Sequence, residues 1–233
     1  MVSIIACTMR DQMMDNVFAN YARQKWETKE LIIILNNDRM DLNNWSNRAK
    51  KYSNISIYQL PEEKTLGDCL NFGISKARYD IIAKFDDDDY YSPYYLTEAM
   101  TAFKKTGAEV IGKGTSFLYF EQNDLLTLYR QGLENKDGSK FLKGGTLMFK
   151  KSLFPKIKFP SQKAGSDSHF RNQCKENNVK MYSTSRYNYV CLRRADLTSH
   201  TYQLPPEEYM KNCEVVETTK NFESAVTKRF GKK

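Results

Sequence analysis

Short apolar runs punctuate the first half of the chain, and each is followed by a stretch whose apolar residues recur at helical spacing. Val2-Ser3-Ile4-Ile5-Ala6-Cys7 is the first run and reads as a strand buried on both faces. Residues 13–25 carry Val17, Phe18 and Tyr21 on one face of a predicted helix. Leu31-Ile32-Ile33-Ile34-Leu35 predicts the second buried strand, and residues 42–51 predict an amphipathic helix. Ile55-Ser56-Ile57-Tyr58 alternates and gives a third strand. Thr65-Leu66-Gly67-Asp68 opens a helix running to about residue 76, and residues 81–85 form the fourth strand. This βαβαβαβ order predicts an α/β fold: a mostly parallel, doubly wound central sheet flanked by helices, with right-handed crossovers.

Beyond a helix that follows Pro93 and reaches about residue 105, the pattern becomes mixed. Strands are expected at 110–111, 116–120, 125–129, 180–184 and 187–192, with a turn at 135–139, an apolar run Thr146-Leu147-Met148-Phe149 after Gly144-Gly145, and a helix at 166–177. Pro205-Pro206 stops regular structure, and the charged residues 207–233 read as a peripheral helix or a frayed end. One domain over 1–204 is expected, divided into halves of about 1–106 and 107–204, with 205–233 as a charged extension.

The fourth strand runs straight into Asp86-Asp87-Asp88-Asp89. Four consecutive carboxylates repel one another, more so where water is partly excluded. A hard divalent cation, Mg²⁺ or Mn²⁺, relieves that repulsion and bridges to phosphate oxygens. The competing reading is an acidic turn opening the next helix, where Asp suits the helix dipole. Ligands of open α/β sheets bind outside the carboxyl ends of the strands. Residues 8–10, 36–38 and 86–89 are therefore candidates for one cleft, although 36–38 also reads as an ordinary turn.

Composition sharpens this only in part. The chain has 233 residues, 40% apolar, which suffices for one large core. Its net charge of +8 fits a nucleotide diphosphate or an anionic membrane surface, and fits a solvated basic face equally well. The basic residues are scattered and match no nucleic-acid motif, so no nucleic-acid partner is expected. Five cysteines without a C-x-x-C pair read as small buried hydrophobes of a reducing compartment, and two histidines make a zinc site improbable. No 18-residue apolar run and no basic leader are found, so a cytoplasmic location is expected, with peripheral membrane contact left open. Residues 107–114 nearly spell a P-loop, but Gly114 stands where Ser or Thr is needed and a strand follows instead of a helix.

Several stretches taken together resemble family 2 glycosyltransferases with the GT-A fold, over residues 2–201. They are the opening strand through Arg10, the second strand's end at Asn37 and Asp38, and Leu66-Gly67 through Asn71. Above all there is the D-x-D region between Lys84 and Pro93. Gly144-Gly145, Ser166-Asp167-Ser168-His169-Phe170, Arg193-Arg194 and His200-Thr201 follow in order. Within the family the resemblance leans toward bacterial enzymes of cell-envelope or spore-surface polysaccharide synthesis. It implies a nucleotide-sugar donor, UDP-linked, an Mn²⁺ or Mg²⁺ ion, and inversion at the anomeric carbon. By the same resemblance Asp86, Asp88 and His200 hold the metal. Thr8, Arg10, Asn37, Asp38, Gly67, Asn71, Lys84, Asp87 and Arg194 meet the donor. Asp167 is the general base, with Ser166 standing where the family often has Glu. The acceptor is not specified.

Independent chemistry supports such roles, since a metal and guanidinium groups stabilise a departing diphosphate and a carboxylate takes a hydroxyl proton. Arg193 and Arg194 are neighbours on a strand, so at most one points at phosphate. Two alternatives share the acidic site: a nucleotidyltransferase releasing pyrophosphate, and a non-catalytic sugar-nucleotide-binding module.

Overall fold

The computed structural model describes residues 1–162, 165–196 and 205–230. Its centre is the first apolar run. Strand β1 (Val2–Thr8) pairs in parallel with β2 (Lys29–Leu35) on one side and β4 (Ile81–Asp86) on the other. β3 (Ile55–Gln59) extends the sheet in parallel beyond β2. Successive side chains of β1 face opposite ways. Ile4 and Ala6 join one core with Phe18 and Tyr21 of α1 (Met14–Arg23), Trp45 of α2 (Leu42–Ala49), and Leu96 and Phe103 of α4 (Tyr95–Thr106). Ile5 joins the other core with Leu70 and Ile74 of α3 (Leu66–Lys76) and with Phe170 and Cys174 of α5 (Ser166–Glu176). Both faces of the sheet are covered, which is why these strands are nearly uninterrupted apolar runs. The fold is α/β, with a large, mostly parallel sheet between helices.

The helix boundaries follow local chemistry. Thr65 caps α3 through a reciprocal pair: Asp68 N donates to Thr65 Oγ1 at 3.2 Å, and Thr65 N donates to Asp68 Oδ2 at 2.9 Å. Gly107 ends α4 in the left-handed conformation, φ 66°.

The second half departs from the regular pattern in an informative way. β10 (Met148–Lys150) inserts antiparallel between β4 and β6 (Val110–Gly112), and β11 (Met181–Ser183) and β9 (Lys136–Asp137) complete an eight-stranded sheet. A second, five-stranded sheet runs β13-β8-β7-β12-β5. Here β5 is Tyr90–Tyr91, β7 Ser116–Phe120, β8 Leu125–Tyr129, β12 Tyr189–Arg193 and β13 Cys213–Thr218. The acidic run is thus the corner between the two sheets: β4 enters it from the first and β5 leaves it in the second.

β13 was not expected from the sequence, where only a helix or a frayed end was read. A short helix, α6 (Pro206–Met210), is present, but the next residues pair antiparallel with β8. The strand lies at an edge, leaves Val215 and Val216 about half exposed, and shifts register between Val215 and Glu217, so its alternation is broken. Farther on, Asn188 ties the chain's end to the acidic corner. Its amide N donates to Val226 O at 2.8 Å, its Oδ1 accepts from Lys228 N at 3.0 Å and Ser92 Oγ at 2.5 Å, and its Nδ2 donates to Glu98 at 2.9 Å. Lys113, the residue of the false P-loop, is buried and bonded to Glu98 at 3.2 Å and to Ser185 O at 2.8 Å. Among the described residues no helix is long and apolar enough to cross a membrane.

Gly67 sits where α3 meets the chain at 159–160, and a Cβ there would lie 2.0 Å from the Pro160 carbonyl oxygen. Gly67→Ala should therefore destabilise the protein by about 1–3 kcal/mol, as overpacking generally does. A urea-unfolding midpoint equal to that of the parent protein would remove this account of Gly67.

Candidate active site

The corner after β4 is held in shape before any carboxylate is considered. Asn16 Nδ2, from α1, donates to the carbonyls of Asp87 at 2.8 Å and Asp89 at 3.0 Å. Asn20 Nδ2 donates to Asp89 O at 2.8 Å, and Asn20 Oδ1 accepts from Tyr91 N at 3.1 Å. The Tyr91 hydroxyl accepts from Asp86 N at 2.8 Å and donates to Gly145 O at 2.5 Å, while its ring stacks on Phe85 with centroids 3.8 Å apart. Both asparagines and Tyr91 were missed in the sequence. The available signal was Asn20 on the apolar face of α1, among Val17, Phe18 and Tyr21, where a buried amide needs partners.

Each of the four carboxylates then finds a different environment. Asp86 accepts from Lys84 Nζ at 2.5 Å, and the same buried ammonium lies 3.5 Å from Asp167 Oδ2. Asp87 accepts from Thr8 Oγ1 at 2.5 Å and from Arg10 Nε at 3.2 Å, with Arg10 Nη2 closing a bidentate contact. Asp88 lies between two guanidinium groups, 3.1 Å from Arg10 Nη2 and 2.8 Å from Arg194 Nη2. Asp89 is buried and accepts from the Tyr189 hydroxyl and from Leu192 N at 3.2 Å.

Acidity divides accordingly. Burial pushes the Asp89 carboxyl up to about 7, aided by the charges of Asp88 and Asp86 and opposed by Lys143. Burial also raises Asp86, with Asp167 and Asp88 adding to it against Lys84. It raises Asp87 too, helped by Asp88 and opposed by Arg10. Asp88 goes the other way: burial works to raise it, but Arg10 and Arg194 together hold it below the usual carboxylate range. For Lys84, burial favours the neutral amine, yet Asp167 and Asp86 prevail and raise its pKa.

The glycines after Lys143 fit this cluster. A Cβ on Gly145 would come within 2.5 Å of Asp86 Oδ2 and 3.0 Å of Asp89 Oδ2, and one on Gly144 within 2.0 Å of Asp167 Oδ2. The backbone approaches the three carboxylates as closely as it can, and only glycine leaves them room. Two oxygen donors, Asp86 and Asp88, suit a hard cation that completes its shell with water and phosphate oxygens. Among the described residues no three His, Cys, Asp or Glu side chains gather into a ready-made cage. His200, expected to assist, lies outside the described residues, as does Thr201.

The other expected positions are placed as follows. In the strand registers Thr8 is level with Leu35 and Cys7 with Asp86, so the ends of β1, β2 and β4 form one rim. Asn37 is on that rim and donates to Met9 O at 3.3 Å; Asp38 is exposed beside it. Gly67 and Asn71 face the chain at 159–160: Asn71 Nδ2 donates to Phe159 O at 2.7 Å and Asn71 Oδ1 accepts from Phe159 N at 3.1 Å. Arg193 and Arg194 do diverge, the first packing over the Tyr209 ring at 4.6 Å and the second turning to Asp88. Asp167 lies in the first turn of α5, and its Oδ1 is shielded from water without a hydrogen-bond partner.

Comparison with known proteins bears on the family and the fold. Residues 3–162 match the sequence model of the family described as Glycosyl transferase family 2. Poly-beta-1,6-N-acetyl-D-glucosamine synthase of Staphylococcus aureus is 28% identical over 108 residues, 45% of this chain and 26% of that protein. The O-antigen biosynthesis glycosyltransferase WbnJ of Escherichia coli is 28% identical over 166 residues, 67% of this chain and 64% of its own. The chain thus spans about a quarter of the synthases it matches. Among solved structures, S. aureus TarS 1–349 in complex with UDP-GlcNAc superposes with a TM-score of 0.66 at 16% identity, covering 90% of this chain and 63% of that one. The mannosyltransferase PcManGT of Pyrobaculum calidifontis, in complex with GDP-Man and Mn²⁺, gives 0.61 at 13%, covering 90% and 59%.

Lys84 is 3% exposed and neutralises two carboxylates, so Lys84→Met should destabilise the fold by about 3–5 kcal/mol. The deficit should grow as pH rises: without the ammonium, the Asp86 carboxyl is pushed farther up, and a raised carboxyl contributes stability that is lost as it ionises. Thermal melts at pH 5 and pH 8 check this, and an equal deficit at both would contradict it.

Proposed function

We propose, from the premise that this chain belongs to glycosyl transferase family 2, that it is an inverting, metal-dependent enzyme that moves a sugar from a UDP-linked donor to an acceptor hydroxyl during surface-polysaccharide synthesis. The observation that carries this reading is a single ion network. Lys84 spans Asp86, in the metal-binding turn, and Asp167, the candidate base, so the leaving-group side and the acceptor side of the reaction share one buried cation.

The roles follow from placement. A divalent cation held by Asp86 and Asp88 would offset the negative charge that gathers on the departing diphosphate. Arg10 and Arg194, both already turned toward Asp88, would share that load, because guanidinium forks match phosphate oxygens. Thr8, Arg10 and Asp87, with Asn37 and Asp38 along the rim, would hold the nucleoside end of the donor. Asp167 would accept the proton of the acceptor hydroxyl as its oxygen bonds to the anomeric carbon and the bond from that carbon to the diphosphate breaks. The unpartnered Oδ1 of Asp167 supports this, since a carboxylate oxygen without a donor is ready to take one.

The donor and setting rest on similarity. TarS is solved with UDP-GlcNAc and PcManGT with GDP-Man and Mn²⁺, and the names of the synthases and of WbnJ point to surface glycans.

Calorimetric titration of UDP with and without Mn²⁺ tests the donor site. Binding should require the metal and be lost in Asp88→Asn. Tight binding of GDP in place of UDP would move the donor assignment, and no binding of either nucleotide would sink the reading. In Asp167→Asn, transfer from the donor that binds should fall by about 10²–10⁴-fold, the usual contribution of a general base. UDP binding should be retained there, and unchanged turnover would leave Asp167 without its proposed role.

A further inference from the structure

The cations of the acidic corner are all paired with carboxylates. Three other cations, of which Arg171 feels the charge of Asp167 directly, stand outside these ion pairs around two aromatic rings. Arg171 follows Asp167 by one turn of α5, and Lys143 precedes the Gly144 that abuts Asp167. Arg130 directly follows β8. Its guanidinium lies 4.1 Å from the centre of the Phe141 ring, and that of Arg171 lies 5.2 Å from the same centre. Lys143 Nζ stands 5.4 Å from the ring centre of Tyr129, which Arg130 also covers at 5.3 Å. Among the described residues none of the three has a carboxylate within ion-pair distance.

Further observations set this cluster apart from an ordinary basic surface. The Nε of Arg171 is shielded from water and has no hydrogen-bond partner; its Nη2 reaches only Ser168 Oγ, at 2.9 Å. Burial lowers its pKa, Asp167 opposes that, and the charge of Arg130 adds to the lowering. Arg130 adopts a left-handed backbone, φ 51°, which a long side chain rarely does. It is pinned there by its N donating to Asn212 O at 3.0 Å and its O accepting from Thr115 Oγ1 at 2.7 Å. Two guanidinium groups sharing one ring, one of them incompletely hydrogen-bonded, form an arrangement that an anion completes.

We propose that Arg130, Lys143 and Arg171, around Phe141 and Tyr129, form an acceptor subsite for an anionic group, phosphate or carboxylate, carried by the acceptor near the hydroxyl that Asp167 deprotonates. This rests on the glycosyltransferase reading above with Asp167 as base. The rings supply apolar faces for the acceptor's carbon skeleton, and the cations select its charge. A purely structural role, bracing the loop against α5, would predict loss of stability without loss of acceptor selectivity.

The test titrates the UDP- and Mn²⁺-saturated protein with three probes: a glycerol phosphate oligomer, a hyaluronan oligosaccharide bearing carboxylates, and a neutral chito-oligosaccharide. At least one anionic probe should bind about tenfold or more tightly than the neutral one, and which of the two does so identifies the anion. Arg130→Gln and Arg171→Gln should each weaken that binding about tenfold, while Arg130→Lys, which keeps the charge, should lose less. UDP affinity should stay the same in all three variants. Equal binding of neutral and anionic probes, failure of both anionic probes, or Arg130→Gln binding like the parent would each overturn the proposal. If the parent protein fails to bind UDP, that failure belongs to the donor reading. The probes are then titrated into the nucleotide-free protein, where the same tenfold losses are expected and their absence overturns the subsite.

Discussion

Four carboxylates in succession can share one turn only when each meets its own donor or cation, and much of the site's polar chemistry serves that requirement. Lys84 rises through the strand to reach Asp86, Arg10 comes from the end of β1 to Asp87, Arg194 comes from the end of β12 to Asp88, and Asp89 sinks onto Tyr189. The four partners belong to β4, to the turn after β1 and to β12 or its end, so both sheets must be in place before the turn is electrostatically tolerable. Partly buried carboxylates repel with a force that water screens less than at an open surface, and the same force makes a cation welcome there. The neutralising groups are two partly exposed arginines on the open side and a buried lysine beneath. The turn is preorganised below and adaptable above, where a diphosphate would arrive.

The first half of the molecule was legible because its central strands, β1, β2 and β4, are buried on both faces and the edge strand β3 alternates. Apolar runs such as Leu31 to Leu35 have no other explanation in a chain this polar, and the helices between them carry one apolar stripe each. The acidic turn stood out in the sequence because four acidic residues directly after a buried strand are a local contradiction. The register of the sheet explains why residues far apart in sequence could be grouped, since strand ends that are level in a parallel sheet make one rim.

What escaped the sequence was decided by pairing across distance. β13 has no apolar period of its own, because it borrows an edge of β8 and leaves its valines in water. Asn16 and Asn20 look like ordinary helix residues until their amides are seen under the backbone of the acidic turn. Asn71 was read as a donor contact, and its amide is engaged on both sides with Phe159, a partner 88 positions away. The adjacent arginines were the reverse case: strand geometry alone separates Arg193 from Arg194, and the structure places them on different partners.

The bonds of Asn188 carry a consequence for how the molecule moves. The Asn188 side chain joins Ser92, the residue that follows β5, to the backbone N of Lys228 and also rests on the buried Glu98, while its own backbone N reaches Val226 O. Local opening at residues 226–228 would therefore remove two bonds of the asparagine that holds Ser92, though the two regions are some 130 positions apart in sequence. Opening of a peripheral segment, which in most proteins stays local, is here linked through one asparagine to the residues that follow the acidic corner.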